Sequence, residues 1–426
     1  MSTETIAVII LIATFLVLLL ARVSVAVSMG IAAVVTCIFL KLPLALVVQY
    51  TVGGLSVFTF LAVPFFILGG EIINQGGIGD RLIAFADALI GWVHGGAAMV
   101  NVAASMFFGG ISGSPPADIA SLGPIEIKLM ESQGFSREFS TGLTCATAAQ
   151  GMLIPPSHNL VIYAVAAGGV SIGALFMAGL PAGIFLGVVL GVYCYVYARR
   201  HGYASSHKFS LRRLGKTFLS AVGGLMTIVI IFLGVTMGIM TATESAAVAA
   251  LWAFICAFFV YRDVPLSRYY KIATASVKML STIMILLAVA NMFGWIVAYL
   301  RIPSKIAAAV LSLTSNRYLI ILIINVMILF LGCIMSVSSI LLIITPILVP
   351  ILNALDYSLV QFGVVMILNL AIGLLTPPVG AALYVGAAVS GLGVSKTAKA
   401  TMPFYLLMIF TLLALAYIPG LTSIFA

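Results

Sequence analysis

The chain has 426 residues, of which 63% are hydrophobic and 7% are charged. Its mean hydropathy of +1.26 lies far above that of a soluble globular protein. The composition therefore excludes a soluble enzyme or binding domain, and it predicts a polytopic membrane protein with about ten to twelve membrane segments, some of half length.

The formal net charge is +9, and basic side chains crowd two short loops. One loop covers residues 199–216 and the other covers residues 262–271. The positive-inside rule predicts that both loops are cytoplasmic. Contact with anionic membrane lipids accounts for these charges, so nucleic acid is not a predicted partner.

In chain order, the first irregular segment is residues 107–130, where apolar sequence meets glycines, hydroxyl residues and a proline pair. We predict a re-entrant hairpin here, with Ser112, Gly113 and Ser114 at its tip. Hydroxyl and free carbonyl oxygens at such a tip can replace the water shell of a small cation. A Gly/Ser packing contact between membrane helices is the alternative, and this segment alone does not decide between them.

The next irregular segment, GMLIPPSHN at residues 151–159, predicts a broken helix. Two consecutive prolines end a helix at the residue before them, so carbonyls near Ile154 lose their partners. Membranes tolerate such a break where it is buried in protein or lines a hydrated cavity, and transporters hold substrates and ions there. We therefore predict that Ser157, His158 and Asn159 open a second half-helix and contact substrate. A hydrolase is disfavoured, because adjacent Ser157 and His158 cannot easily form a nucleophile–base pair.

The second half of the chain repeats these features at an offset of 222 residues. The matched pairs are Gly110 and Gly332, Ser114 and Ser336, Pro124 and Pro346, Gly151 and Gly373, Pro155 and Pro377, and Pro156 and Pro378. We predict two membrane repeats, 1–200 and 218–426, joined by a basic cytoplasmic linker at 201–217. The hairpin and broken helix occupy about 105–170 in the first repeat and about 328–392 in the second.

Five motifs resemble the large membrane (DctM-like) subunit of tripartite ATP-independent periplasmic (TRAP) transporters. They are GGISGSPPAD (109–118), LIPPSHN (153–159), TATESAAVAA (241–250), ITPILVP (344–350) and IGLLTPPVG (372–380). The match covers nearly the whole chain, with the motifs in the family's order. The predicted fold class is thus an all-α, polytopic membrane protein of two inverted structural repeats, each with a re-entrant hairpin and a broken helix.

The resemblance implies a function as well as a fold. It implies sodium-driven uptake of an organic acid across the bacterial inner membrane by an elevator motion, without enzyme activity. The implied partners are a small membrane (DctQ-like) subunit and a periplasmic solute-binding (DctP-like) protein that delivers substrate. A sialic acid or similar sugar acid is the preferred substrate, followed by a C4-dicarboxylate, and outside this class a channel or an intramembrane hydrolase is the alternative.

The resemblance also assigns residues to two sodium sites, largely through backbone oxygens. One set is Ser112, Ser114, Gly151, Ile154 and Pro156, and the other is Gly332, Gly373, Thr376 and Val379. Sodium coupling is favoured over proton coupling because the apolar segments hold almost no side chain that could relay protons. Asp118 and Glu244 are the main exceptions. No organic cofactor or transition metal is predicted, since the five cysteines are scattered singly.

The predicted substrate contacts are Ser157, His158, Asn159, Ser336 and Pro377. Relatives commonly carry an acidic residue where this chain has Ser336. This departure makes the second tip neutral, and it leaves open which side chain of the tip contacts the substrate.

Overall fold

The computed structural model describes residues 3–56, 58–203, 205, 207–262, 264–306, 314, 316–377 and 379–423. These residues form helices and connecting turns, and no β-strand occurs among them, which confirms the all-α prediction. Within the described ranges, seven helices are long and apolar enough to cross a bilayer. Shorter apolar helices accompany them, as expected for re-entrant and broken segments.

The helices of the first half are numbered in chain order. They are α1 Thr3–Leu20, α2 Val25–Phe39, α3 Ala45–Leu55, α4 Ala62–Gln75, α5 Ile78–Ile90, α6 Gly96–Ser112, α7 Pro115–Ser121, α8 Gly123–Ser132, α9 Arg137–Gln150, α10 His158–Ala166 and α11 Ile172–His201. The second half contains α12 Leu211–Thr236, α13 Ala242–Ile255, α14 Tyr269–Tyr299, α15 Arg317–Gly332, α16 Val337–Ala354, α17 Leu359–Leu375, α18 Ala381–Ser390 and α19 Val394–Tyr417.

Helix bounds in the second half follow those in the first half at the same 222-residue offset. Helix α16 covers the interval that corresponds to α7 and α8 together. Helices α17 and α19 begin where the offset places the first residues of α9 and α11. The inversion of the repeats and the division at 201–217 stay predictions; the connection between α11 and α12 covers residues 202–210.

Helices α9 and α17 lie at the centre of the protein. Every side chain of α9 from Phe139 to Gln150 is buried, and α17 is buried over nearly its whole length. Helix α9 packs against α6, α7 and α8 of the first hairpin, and α17 packs against α15 and α16 of the second. By contrast, α1 is only 11% buried and presents an apolar surface suited to lipid or to another membrane subunit.

Candidate functional site

Both predicted hairpin tips are present as interruptions between helices. Helix α6 ends at Ser112, Gly113 adopts a left-handed conformation at φ 58°, and α7 begins at Pro115. Helices α7 and α8 then pack back against α6. A Cβ atom on Gly113 would lie 3.1 Å from Nδ1 of His158, so this turn requires glycine both for its φ and for its space.

The second tip joins α15, which ends at Gly332, to α16, which begins at Val337. Ser336 caps α16: its Oγ accepts a hydrogen bond from the Ser339 amide at 3.4 Å and lies 2.6 Å from the Ser339 hydroxyl. The residue at the predicted substrate contact is therefore already an N-cap, a role that an acidic residue can also fill.

Both broken helices are also present, although the first break starts earlier than the proline pair predicts. Helix α9 ends at Gln150, and α10 begins at His158. In the second half, α17 ends at Leu375, and Thr376 is extended at φ −99° and ψ 131°. Helix α18 begins after Gly380, and Pro378 lies outside the described residues.

Each hairpin crosses its own broken helix at a pair of glycines. A Cβ atom on Gly151 would lie 2.5 Å from Cα of Gly109, and one on Gly373 would lie 2.7 Å from Cα of Gly332. At each crossing the C-terminal parts of two helices meet. Helix C-termini carry free carbonyls and partial negative charge, so both crossings favour a cation.

Polar atoms without partners surround the first crossing. The Ser112 hydroxyl donates to Oδ1 of Asp118, a buried carboxylate on α7. The other oxygen, Oδ2, has no hydrogen-bond partner among the described residues and lies 2.8 Å from the Cβ position of Gly151. Both amide atoms of buried Gln150 also lack a partner there. Unsatisfied buried polar groups are rare, and a bound cation would satisfy the two oxygens, Oδ2 of Asp118 and Oε1 of Gln150.

Asp118 and Gln150 were not assigned to this site from the sequence. The signals that could have identified them are a carboxylate six residues after Ser112 and a polar amide directly before Gly151. Both signals are weak without the contact between the hairpin and the broken helix, because the two segments are far apart in the chain.

Hydrogen bonds between described residues fasten each tip to its broken helix. Nδ2 of Asn159 donates to the Gly113 carbonyl at 3.0 Å, and the Val379 amide donates to the Cys333 carbonyl at 3.2 Å. The Asn159 amide group therefore already makes a hydrogen bond within the protein, which leaves only part of its hydrogen-bonding capacity for a substrate. Each break is thus linked directly to the tip beside it.

The remaining predicted sodium ligands lie in the two breaks. The Ile154 and Pro156 carbonyls accept no backbone hydrogen bond from the described residues. In the second break, the Thr376 hydroxyl donates to the Ile372 carbonyl at 2.8 Å, and its amide donates to the Gly373 carbonyl at 2.9 Å. The carbonyls of Ile372 and Gly373 beside the second break are therefore already hydrogen-bonded.

A cavity of about 390 Å³ lies between the two tips and the two breaks. It is lined by Gly113, Ser114, Pro115, Pro116, Met152, His158, Asn159, Gly332, Cys333, Ile334, Met335, Ser336, Val337, Ser338, Leu374, Val379, Gly380 and Ala381. The first residues of α10, α16 and α18 are all on its wall. Three helix N-termini therefore direct partial positive charge at this space, which favours an anion.

The cavity brings together only part of the predicted set. Of the five predicted substrate residues, His158, Asn159 and Ser336 are on its wall, whereas Ser157 and Pro377 are outside the lining. Of the predicted sodium residues, Ser114, Gly332 and Val379 reach the wall. The others are Ser112, Gly151, Ile154, Pro156, Gly373 and Thr376, which lie outside this lining and within the tips and breaks.

The sequence matches the family model described as "Tripartite ATP-independent periplasmic transporter, DctM component" over residues 12–421. It is 37% identical to the C4-dicarboxylate TRAP transporter large permease protein DctM of Pseudomonas aeruginosa, over 86% of this chain and 85% of the relative. It is also 37% identical to the sialic acid TRAP transporter large permease protein SiaM of Vibrio cholerae, over 88% of this chain and 87% of the relative.

The fold is similar to that of the YdaH transporter of Alcanivorax borkumensis, with a TM-score of 0.64. The two chains are 14% identical in sequence, and the match covers 87% of this chain and 86% of the other. At this identity the likeness concerns the fold alone.

Proposed function

Since the chain belongs to the DctM component family of tripartite ATP-independent periplasmic transporters, and is a multi-pass large permease of the bacterial inner membrane, we propose that it couples uptake of an organic acid to a sodium gradient. The relatives are permeases rather than enzymes. The single observation that carries the proposal is the arrangement of helix ends: three N-termini lie at the cavity, and helix C-termini meet at two glycine crossings, the second of which reaches the cavity wall through Gly332.

The helix N-termini select the charge of the substrate. Each one favours a nearby anion by about 0.3–1 kcal/mol when exposed and up to about 2 kcal/mol when partly buried. Helices α10, α16 and α18 act on the same cavity, so their effects on a carboxylate add. The hydroxyl of Ser338 and the imidazole of His158 lie on the same wall and supply polar contacts.

The glycine crossings are the proposed sodium sites. At the first, Ser112, Asp118 and the carbonyls of Gly151, Ile154 and Pro156 supply hard oxygen ligands, with Ser114 beside them. At the second, the ligands are oxygens of Gly332, Gly373, Thr376 and Val379. The Asp118 oxygen without a partner supports the first site, and the close approach of Gly332 and Gly373 supports the second.

Coupling follows from the bonds that tie each tip to its break. A cation at a crossing holds the break in one geometry, and the break holds the tip through Asn159 or Val379. Because both tips line the cavity, cation binding and substrate binding favour the same closed arrangement. The hairpins and broken helices would then cross the membrane together as the moving part of an elevator.

The proposed partners are a DctQ-like small membrane subunit and a DctP-like periplasmic solute-binding protein, as in the family. Helix α1 offers an apolar surface on which a second membrane subunit can pack. The basic loop at 199–216 is suited to anionic lipids on the cytoplasmic side.

We propose a sugar acid, with sialic acid preferred, as the substrate, and a C4-dicarboxylate as the second candidate. Sequence identity does not separate them, because it is 37% to a permease for either. The cavity wall carries no lysine or arginine among its described residues. A neutral, hydroxyl-bearing wall suits one carboxylate with many hydroxyls better than it suits two carboxylates.

The test is uptake into proteoliposomes that contain this chain, its small subunit and its binding protein. An inward sodium gradient should drive accumulation of the acid, and a pure proton gradient should not. Equal uptake under both gradients would contradict sodium coupling, and downhill flux without accumulation would favour a channel. Comparing sialic acid with succinate in the same vesicles decides the substrate class.

A further inference from the structure

A second buried carboxylate, Glu126, lies in the first hairpin but takes no part in the proposed transport mechanism. It is on α8 and is 1% exposed. Its Oε2 accepts a hydrogen bond from Nδ2 of Asn101 at 2.8 Å, and its Oε1 has no hydrogen-bond partner among the described residues. The side chain is absent from the lining of the cavity between the tips.

Glu126 belongs to a buried polar network that joins three helices. Nδ2 of Asn101 on α6 also donates to Oγ1 of Thr144 on α9 at 2.7 Å. The Thr147 hydroxyl, one turn further along α9, donates to Oδ1 of Asn101 at 2.6 Å. The network therefore holds α8 and α9 to the same asparagine of α6.

The second half of the chain keeps this link without the carboxylate. At the 222-residue offset, Leu348 corresponds to Glu126 and Asn369 corresponds to Thr147. Nδ2 of Asn369 on α17 donates to Oδ1 of Asn325 on α15 at 2.9 Å, so an amide again joins hairpin to broken helix. A buried leucine fills the position of the acid. Packing of the hairpin therefore does not require a carboxylate, and Glu126 calls for another explanation.

No positive charge on the described helices that pack against α8 compensates Glu126. Helix α8 packs against α6, α7, α9 and α18. The titratable side chains on these helices and on α8 itself are Lys128, Glu131, Asp118, Arg137, Glu138, Cys145 and Tyr384. Lys128 is exposed, and Arg137 is exposed and pairs with Glu131 at 2.5 Å. A buried carboxylate without a partner cation is strongly unfavourable, whereas the neutral acid is tolerated.

We propose that Glu126 is a proton-binding site that is occupied in this conformation. The site releases its proton when α8 and α9 separate enough to admit water. In that step the O–H bond of the carboxylic acid breaks, water accepts the proton, and the carboxylate becomes hydrated. Sodium is a poorer occupant, because the Asn101 amide directs its N–H groups at Glu126 Oε2 and Thr144 Oγ1, which leaves few free oxygens for a cation.

Infrared spectroscopy of the purified protein tests the site without any transport assay. We expect a carboxylic acid C=O band at neutral pH that is lost in Glu126→Gln and retained in Glu131→Gln, the matched control on the same helix. Asp118→Asn separates any contribution of the other buried acid. An acid band unchanged by Glu126→Gln would overturn the proposal. If the part of the band that is lost in Glu126→Gln responded to added sodium at constant pH in the Asp118→Asn protein, the proposal would be overturned in favour of a cation site.

A second variant reproduces the chemistry of the other half. Glu126→Leu combined with Asn101→Ile and Thr144→Met installs the residues found at Leu348, Ile323 and Met366, and the Thr147 hydroxyl keeps its hydrogen bond to the Leu143 carbonyl. We expect this protein to fold with a thermal midpoint close to that of the wild type and to lack the Glu126 band. A large loss of stability in both this protein and Glu126→Gln would show that the acid is structural, and would overturn the proposal.

The consequence for transport rests on the proposed function, unlike the infrared test. Sodium-driven uptake by the wild type should fall as pH rises and Glu126 ionises, and Glu126→Gln should lose this dependence on pH. Coincident pH profiles for the two proteins would refute a role of the proton in transport. Absence of sodium-driven uptake in the wild type would instead refute the proposed function and leave the infrared result in force.

Discussion

The contact between Gly151 and Gly109 gives the sharpest test of the first crossing. Gly151 has φ −59° and ψ −23°, a conformation that alanine adopts without strain. The Gly151→Ala change should therefore act only through steric contact of the added Cβ atom with its neighbours. Its Cβ would lie 2.5 Å from Cα of Gly109 and 2.8 Å from Oδ2 of Asp118. Backbone cannot move aside as the end of a flexible side chain does, so the hairpin must shift.

The magnitude is the difference between two effects. Overpacking a well-packed interior costs about 1–3 kcal/mol, and replacing glycine by alanine in a helix recovers about 0.5–1 kcal/mol. The difference is a destabilisation of about 0–2.5 kcal/mol, and the close approach to backbone places Gly151→Ala in the upper half of this range. We also expect loss of any rise in thermal stability caused by sodium, because the shift moves Asp118 away from the break.

The matched control is Gly215→Ala on α12, where an added Cβ meets no atom within 4 Å. This variant should be as stable as the wild type or slightly more stable. Thermal unfolding of the purified proteins with and without sodium, and uptake in proteoliposomes, measure the effect. If Gly151→Ala showed the stability and sodium response of the wild type, the close crossing of α6 and α9 would be wrong.

Three further changes separate the cation site, the tip and the helix cap. Asp118→Asn should remove most of the sodium dependence of uptake, because the free oxygen loses its charge; an unchanged sodium titration would exclude it as a ligand. Asn159→Ala removes the hydrogen bond to the Gly113 carbonyl. It should lower the free energy of unfolding by about 0.5–1.5 kcal/mol and raise the KM for substrate in uptake assays. An unchanged KM would mean that other contacts hold the tip. Ser336→Ala should cost about 1 kcal/mol by loss of the cap, and Ser336→Asp should restore thermal stability; equal losses would contradict the capping role.

The sequence predicted the interruptions well, because they depend on residues that act locally. A proline pair disfavours an uninterrupted helix at its own position, and the recurrence of glycine and proline at one offset identified both tips and both breaks. Helix α9 ends at Gln150 rather than at Ile154, and no local sequence pattern predicts this earlier end. It places Gly151 at the end of a helix, where its backbone can approach Gly109 of another segment.

Side-chain roles were harder to predict, because they depend on contacts between distant segments. Ser157 was predicted to contact substrate because it directly follows the proline pair. In the structure it is buried and is not among the residues that line the cavity. Asp118 was noted only as a rare acid, and its position against Gly151 requires the hairpin to fold onto the broken helix. Sequence spacing therefore located the interruptions beside the cavity but did not identify which side chains face it.

The two crossings share a geometry but differ in charge, and this difference predicts the order in which the sodium ions and the substrate bind. At the 222-residue offset, the apolar Ile340 corresponds to Asp118, so the second crossing lacks a carboxylate. Its oxygens are those of backbone groups and Thr376, which attract a cation more weakly than a buried carboxylate does. A first sodium ion should therefore bind beside Asp118 and neutralise it. The second should bind only when substrate has drawn the Ser336 tip towards its break, which would make the second crossing the step that couples substrate to sodium.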